Sequence, residues 1–255
     1  MIKEAVVGLF ANAPNQTVAD RYYLRFHGPD VVRISGPWLR GYVSYRAYDP
    51  PREAVERFGG QGGRYTELWF TSLEEWSTRP DLYSATPPPM KEWEGKINKQ
   101  GRQALTMVPG TPTEEFLGKS VDPEQTSILR WICAITYPNN VPLEEAEKWY
   151  KEVHARETLQ QPGLLRFVSF RSIHEKGTPA GGPPTGEAPE GAIRWIRVSE
   201  LWYTDFASWR KAVIESPPRY TPPPWGGEYP FLDMVSNFVD LKPDVDFIRG
   251  NYVIP

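Results

Sequence analysis

The chain has 255 residues and a net charge of −3, with 10 Trp, 13 Tyr, 27 Pro, three His and one Cys. A near-neutral, slightly acidic balance offers no counterion-releasing surface for nucleic acid. No stretch reaches the ~20 apolar residues of a membrane span, and a lone cysteine forms no internal disulfide.

In chain order, residues 4–11 read as a strand. The segment before Ala13 superficially mimics a secretory leader, but Glu4 and a short apolar core argue against one, so a cytoplasmic protein is expected. Residues 17–27 place Ala19, Tyr22, Tyr23 and Phe26 at the spacing of one buried helical face. Strands follow over 40–48 and 65–71, then a helix over 73–83 and a final strand near 103–109. Residues 113–123, just past Pro109-Gly110-Thr111-Pro112, read as a linker between units 1–112 and 124–255.

The second unit repeats the same order. Residues 127–137 are rich in β-branched and aromatic side chains, which favours a strand. Pro142 opens a helix whose first turns carry Glu144, Glu145 and Glu147, where the helix dipole favours anions. Ala146, Trp149, Tyr150 and Val153 form its apolar face. Strands over 164–173 and 193–203, a helix over 205–215 and a strand over 233–241 complete it.

Local echoes in a fixed order confirm the duplication. Glu67-Leu68-Trp69-Phe70-Thr71 with Trp76 returns as Glu200-Leu201-Trp202-Tyr203-Thr204 with Trp209. Tyr23 and His27 return as Tyr150 and His154, and Tyr42-Val43-Ser44-Tyr45-Arg46 as Phe167-Val168-Ser169-Phe170-Arg171. A Thr-Pro-Pro-Pro recurs at 86–89 and 221–224. Two copies are too few for a solenoid. The order β-α-β-β-α-β is the ferredoxin-like unit. Each unit covers one sheet face with helices, and the economical cover for the other is the sister sheet. The expected fold is α+β: two ferredoxin-like repeats closing into one intramolecular α+β barrel. The abundance of aromatics points to a roomy apolar interior.

Trp149-Tyr150-Lys151-Glu152-Val153-His154, followed by Leu159-Gln160-Gln161-Pro162-Gly163, resembles the first-helix signature of EthD-like proteins of the dimeric α+β barrel superfamily. The first unit keeps Tyr23 and His27 but has a longer connection from Gly28 to Trp38. The resemblance implies the barrel fold. It leaves open a range of chemistries that includes cyclases, isomerases, cofactor-free monooxygenases, decarboxylases and haem enzymes.

The candidate site residues are those the two copies share. His27 and His154 sit near the end of each first helix, either as general acid or base facing the barrel interior or as helix caps. Tyr23 and Tyr150 lie beside them. Arg46 with Glu67, and Arg171 with Glu200, fall on hairpin neighbours and read as structural ion pairs or as a clamp for a substrate carboxylate. Trp225 and Tyr229 end a stiff proline-rich arm that could cover a pocket mouth, as Trp93 does for the first arm. His174 reads as solvated, Arg166 and Arg194 as charges without a counterpart in the first copy, and Cys133 as a buried thiol. No phosphate-binding glycine loop or metal-ligand spacing occurs.

These features predict a cofactor-independent lyase, decarboxylase or isomerase acting by acid–base catalysis on an aromatic, carboxylated small molecule. The alternatives are a cyclase or a haem- or oxygen-using oxidase, and a non-catalytic binding or assembly protein. No cofactor, metal, nucleic-acid or membrane partner is expected, and the reading leaves room for a homodimer.

Overall fold

A computed structural model describes residues 1–11, 13–78, 104–118, 121, 127–173, 195–249 and 251–252. The first unit runs β1 (Ile2–Leu9), α1 (Gln16–Tyr22), α2 (Gly28–Ser35), β2 (Gly41–Arg46), α3 (Arg52–Phe58), β3 (Arg64–Phe70), α4 (Leu73–Thr78) and β4 (Ala104–Pro109). After β5 (Glu114–Leu117), the second runs β6 (Leu129–Thr136), α5 (Leu143–Trp149), α6 (Ala155–Thr158), β7 (Arg166–Arg171), β8 (Arg197–Tyr203), α7 (Phe206–Arg210) and β9 (Asp233–Asp240). Two short strands, β10 (Val245–Asp246) and β11 (Asn251–Tyr252), follow.

Local chemistry explains the helix starts. Asn15 accepts from the Val18 N–H and Asp205 from the Ser208 N–H, each satisfying an orphan donor of the first turn. The expected long connection after His27 is helical, as α2. Pro29 falls in its first turn, where a missing N–H costs no helix bond.

The four repeat strands order as β2-β3-β1-β4 in one sheet and β7-β8-β6-β9 in the other, all antiparallel. Identical order in both halves is the ferredoxin-like pattern twice over, as expected. Each sheet then gains an edge strand from the chain that leaves the other half. β5, which follows β4, pairs with β7, and β10, which follows β9, pairs with β2. Residues 114–117, expected as linker, are thus a strand. Their alternation is too short and too charged to be read as one.

The two sheets face each other. Ala5, Val7 and Tyr65 of the first pack on Ile132, Ala134, Val168, Val198 and Val235 of the second. Hydrogen bonds close both seams of the barrel. Ile173 N–H donates to the Met107 carbonyl at 2.8 Å on one side. On the other, Tyr48 N–H reaches the Phe238 carbonyl at 2.8 Å and Ser236 N–H the Gly59 carbonyl at 2.9 Å. Gly59, at φ +58°, is required there, because a Cβ would lie 2.0 Å from the Met234 carbonyl oxygen.

The middle of the barrel is packed, so the roomy inter-sheet interior expected from the aromatic content is not what forms. The aromatics instead fill two cores between sheet and helices. One holds Tyr23, Tyr42, Phe70 and Trp76, and the other Trp131, Trp149, Tyr150 and Trp209. Among the described residues, no helix is long and apolar enough to cross a membrane.

The reciprocal edge strands make each half dependent on the other. Residues 1–120 expressed alone would bare the inter-sheet face and lose β10, exposing more apolar surface than a soluble monomer tolerates. Light scattering after size exclusion should show aggregate or a homodimer that rebuilds the barrel. A stable monomer would contradict the facing-sheet interface.

Candidate functional site

The tyrosine and histidine shared by the two first helices sit in a wider helical turn. Tyr23–His27 and Tyr150–His154 are both π-helical. The Gly28 N–H bonds the Tyr23 carbonyl and the Ala155 N–H the Tyr150 carbonyl, five residues back in each case. Such a turn inserts one residue into the α-helix and often marks a functional site. It turns the histidine in over the sheet. Both histidines lie on the helix-covered side of their own sheet, with Tyr23 and Tyr150. The expectation that they face the inter-sheet interior is therefore corrected. That interior is filled, and helix side chains have no access to it.

Beneath each tyrosine runs the same polar chain. Tyr150 Oη lies 2.8 Å from Ser199 Oγ, Ser199 Oγ 3.0 Å from Ser169 Oγ, and Arg197 Nη1 donates to Ser169 Oγ at 3.0 Å. In the first unit Tyr23 Oη lies 3.3 Å from Thr66 Oγ1, which is 3.1 Å from Ser44 Oγ, and Arg64 Nε donates to Ser44 at 2.9 Å. Arg197 is held by Glu147 on the first helix at 2.7 Å and by Glu114 of the exchanged strand at 2.6 Å. Arg64 is held by Asp20 at 2.8 Å and by Asp244 beside β10. These two arginines escaped the sequence reading, although each stands three residues before the repeated Glu-Leu-Trp.

The expected Arg–Glu pairs do not form. In the hairpins Arg46 lies opposite Arg64 and Arg171 opposite Arg197, while Glu67 lies opposite Val43 and Glu200 opposite Val168. An odd separation along a strand puts the two side chains on opposite sheet faces. Arg46 pairs instead with Asp20 at 3.2 Å, and Arg171 with Glu147 at 3.5 Å, at the solvent edge. The glutamates point into the barrel interior. Glu67 meets Lys3 at 2.6 Å, and Glu200 takes two bonds from Arg130 at 2.9 and 3.2 Å. Burial alone would raise the Glu200 pKa, but Arg130 and Lys3 outweigh it and hold it down to about 2. Arg166 stacks on Trp202. His174, Arg194 and the 86–93 arm lie outside the described residues.

Between the second sheet and its helix lies an apolar cavity of about 40 Å³. Its wall comprises Trp131, Cys133 and Ile135 of β6, Tyr150, His154 and Thr158 of the helix, Phe167, Ser199 and Leu201 of the sheet, and Phe58 from α3 of the first unit. Gln161, Tyr220, Tyr229, Pro230, Leu232 and Met234 close it. No acidic or basic side chain other than the imidazole appears among these lining residues. Of the two arm aromatics, Tyr229 lines the cavity. Trp225 packs behind the helix on Trp149, ring centres 5.1 Å apart.

His154 is the one titratable imidazole among the described lining residues. Among the described residues its buried Nδ1 has no hydrogen-bond partner, and neither has the indole Nε1 of Trp131. Burial pulls the imidazole pKa down to about 4, so the ring is neutral near pH 7. Cys133 is pushed the other way by burial, well above its ordinary value, and stays a thiol. Burial likewise raises Tyr150 against the pull of Arg197. In the first unit His27 is also held to about 4 by burial, against an opposing effect of Asp30. There the Phe10 ring sits 5.8 Å from the imidazole, edge to face. Among the described residues, no group of three or more His, Cys, Asp or Glu could hold a metal.

No family profile and no curated protein matches the chain. Among solved structures, an anthrone oxidase-like protein aligns over 100% of this chain and 96% of its own, at 9% identity and a TM-score of 0.48. A mutant chlorite dismutase from Candidatus Nitrospira defluvii, in complex with cyanide, aligns over 95% of this chain and 91% of its own, at 9% identity and a TM-score of 0.42. At these values neither neighbour informs the chemistry of this chain.

Two outcomes follow from the buried charges. Glu147→Gln leaves the Arg197 guanidinium buried with one carboxylate fewer, and should cost about 3 kcal/mol in urea unfolding. The histidines act in a defined pH window. An unfolded histidine titrates near 6.5 and these two near 4, so the unfolded chain takes up protons first as pH falls. Their burial costs nothing above about pH 6.5, and destabilises increasingly down to pH 4. The thermal midpoint should drop across that window, and His154→Leu with His27→Phe should flatten the drop. The Glu200 carboxylate acts lower, its stabilisation being lost as pH falls towards 2.

Proposed function

We propose that the protein is a cofactor-independent enzyme that removes a proton from a neutral hydroxyaromatic small molecule in the second-unit cavity. His154 is the base, and the anion it forms gives up two electrons to dioxygen, which takes the two protons lost by the ligand and leaves as hydrogen peroxide while the ring becomes quinonoid. The observation that carries this reading is the partnerless, buried Nδ1 of a neutral imidazole in an apolar wall. A group so placed has a lone pair or proton to offer and nothing in the protein to offer it to.

A base of low pKa in a dry site works when the imidazolium it becomes is paired with the anion it has just made. At short range in apolar surroundings that attraction is large. The Trp131 indole N–H, also without a partner, is a neutral donor for developing negative charge. Phe58, Phe167 and Leu201 supply apolar walls that exclude water and dissolve a non-polar gas as readily as a ring. The EthD-like resemblance over 149–163 supports the same helix as the catalytic one. His27, packed against Phe10 and Tyr23, is read as the structural member of the pair.

The same cavity argues against a carboxylated substrate. Arg46 and Arg171 lie at the solvent edge with carboxylate partners, and Arg64 and Arg197 are neutralised beneath the tyrosines. A decarboxylase would therefore lack the cation expected to hold its substrate. Isomerisation needs only the proton step and is the second reading, favoured by the same imidazole. The residues present do not fit a haem beside His154, since the enclosed space holds little more than a water molecule or two.

His154→Ala should lower turnover by ~10²–10⁴ with the fold intact, and His154→Gln should not restore it, since an amide exchanges no proton at neutral pH. For a base that titrates near 4, kcat/KM should stay level from pH 8 down to about 5. An oxygen electrode and a CO2 assay, run on a panel of phenols and aromatic acids, separate the chemistries. Oxygen uptake abolished by His154→Ala supports the proposal. CO2 release from an aromatic acid would return the decarboxylase reading, and near-normal turnover in both His154 variants would make the histidine structural.

A further inference from the structure

The cavity is too small for any aromatic substrate as it stands, and the reason is one side chain. The Tyr220 ring lies parallel to the His154 imidazole, with centres 5.5 Å apart and planes 28° apart. It also stacks on Tyr229, with centres 4.4 Å and planes 18° apart. At the end of this slot Gln161 Nε2 donates to the Tyr220 hydroxyl at 3.0 Å. The amide is oriented by Tyr203, whose hydroxyl donates to Gln161 Oε1 at 2.6 Å, so that Nε2 faces the slot. Thr158 Oγ1 donates to the His154 carbonyl at 2.8 Å and lies 3.5 Å from the same Tyr220 hydroxyl. A flat slot lined by an imidazole and an aromatic ring, with a fixed amide donor at its end, is a receptor for a phenol.

Tyr220 is also weakly fastened by its backbone. Pro217, Pro218 and Pro222–Pro224 flank it and carry no N–H. The segment between α7 and β9 is irregular there, with Pro217 and Arg219 exposed. The described fastening of the neighbouring Thr221 is to Glu157, through its N–H at 2.9 Å and its hydroxyl at 2.6 Å. Swinging the tyrosine outward therefore breaks few bonds.

We infer that the slot filled by the Tyr220 ring is the binding site for a phenolic ring of the ligand, and that Tyr220 holds the place until the ligand displaces it. The inference deepens the reading of this cavity as the substrate site, and it names hydroxyaromatics as the class bound. A ligand ring in the slot takes the place of the Tyr220 ring beside His154 and Tyr229, and its hydroxyl accepts from Gln161 Nε2, so the proton that His154 removes is borne elsewhere on the ligand than on this hydroxyl.

The test uses phenol and benzene as probes in calorimetry on the full chain. Tyr220→Ala removes a phenol-sized fragment. It should bind phenol at least about tenfold more tightly than benzene, and at least about tenfold more tightly than the unaltered protein does. Adding Gln161→Leu should erase the preference for phenol. Equal affinity for the two probes would show an apolar hole and overturn the inference, as would phenol affinity unchanged from the unaltered protein. Should Tyr220→Ala fail to fold, Tyr220→Phe keeps the ring and loses its anchor. Phenol should then bind more tightly than to the unaltered protein, and an unchanged affinity would overturn the inference. A Gln161-dependent phenol preference in a protein without turnover would leave the slot standing and remove His154 as base. Turnover that depends on His154, with no such preference, would do the reverse.

Discussion

Two guanidinium groups buried almost completely, Arg64 at 1% and Arg197 at 0% exposure, set the terms for the rest of the molecule. A charge so placed must be paired or it costs several kcal/mol. Each pair draws on three separate pieces of chain: the third strand of a repeat, its first helix through Asp20 or Glu147, and the segment that crosses from the other half through Asp244 or Glu114. The guanidinium also lies on the face of the repeat tyrosine, 4.7 Å from the Tyr23 ring centre and 4.8 Å from that of Tyr150. The helix is thereby fixed over the sheet at the turn that carries the histidine, and the exchanged strand is fixed at the sheet edge. One interaction serves register, closure and site geometry together.

Closure by exchange forces the sheets into close contact, and that decides where a ligand can go. Alanines and branched side chains meet aromatic rings across the barrel, and Lys3–Glu67 and Arg130–Glu200 pair their buried charges there. Among the described residues, one apolar space is left where large rings pack between sheet and helix. In the second unit that space adjoins the end of the π turn. The Nδ1 of the histidine there is buried, and burial keeps the ring neutral near pH 7.

Much of this architecture was legible in the chain. The echoes around Trp69 and Trp202, and around Tyr23 and Tyr150, carry the duplication, the strand order and the facing sheets, because hydrophobic period and turn chemistry are local properties. The pairing of charges was not legible. Placing Arg46 beside Glu67 required the register of a hairpin, and a one-residue error in parity moves a side chain to the other face. The strands β5 and β10 were hidden for a similar reason, since their partners come from the other half and their own sequence is short and acidic. The place of His154 was half visible. Its repeat position and its tyrosine neighbour marked it, but the π turn that aims it at the sheet has no recognised local signature.

The two copies have kept the scaffold and parted at the wall of the site. Tyr–Ser/Thr–Ser–Arg is the same in both, so selection for folding alone would preserve it. The wall differs. Where the second unit places Trp131 against Trp209, the first places Glu4, whose carboxylate takes the Trp76 indole N–H. Where the first unit turns Phe10 onto His27, the second turns Tyr137 away, its hydroxyl bonded to Glu147 at 2.7 Å. The exchange of a carboxylate for an indole makes the second wall neutral, and turning Tyr137 aside clears the face of His154 for Tyr220. A carboxylate in the wall would repel an anion beside the histidine, and the second wall carries none. The duplication therefore divides labour: the first unit, with α3 and Phe58, completes the cavity of the second.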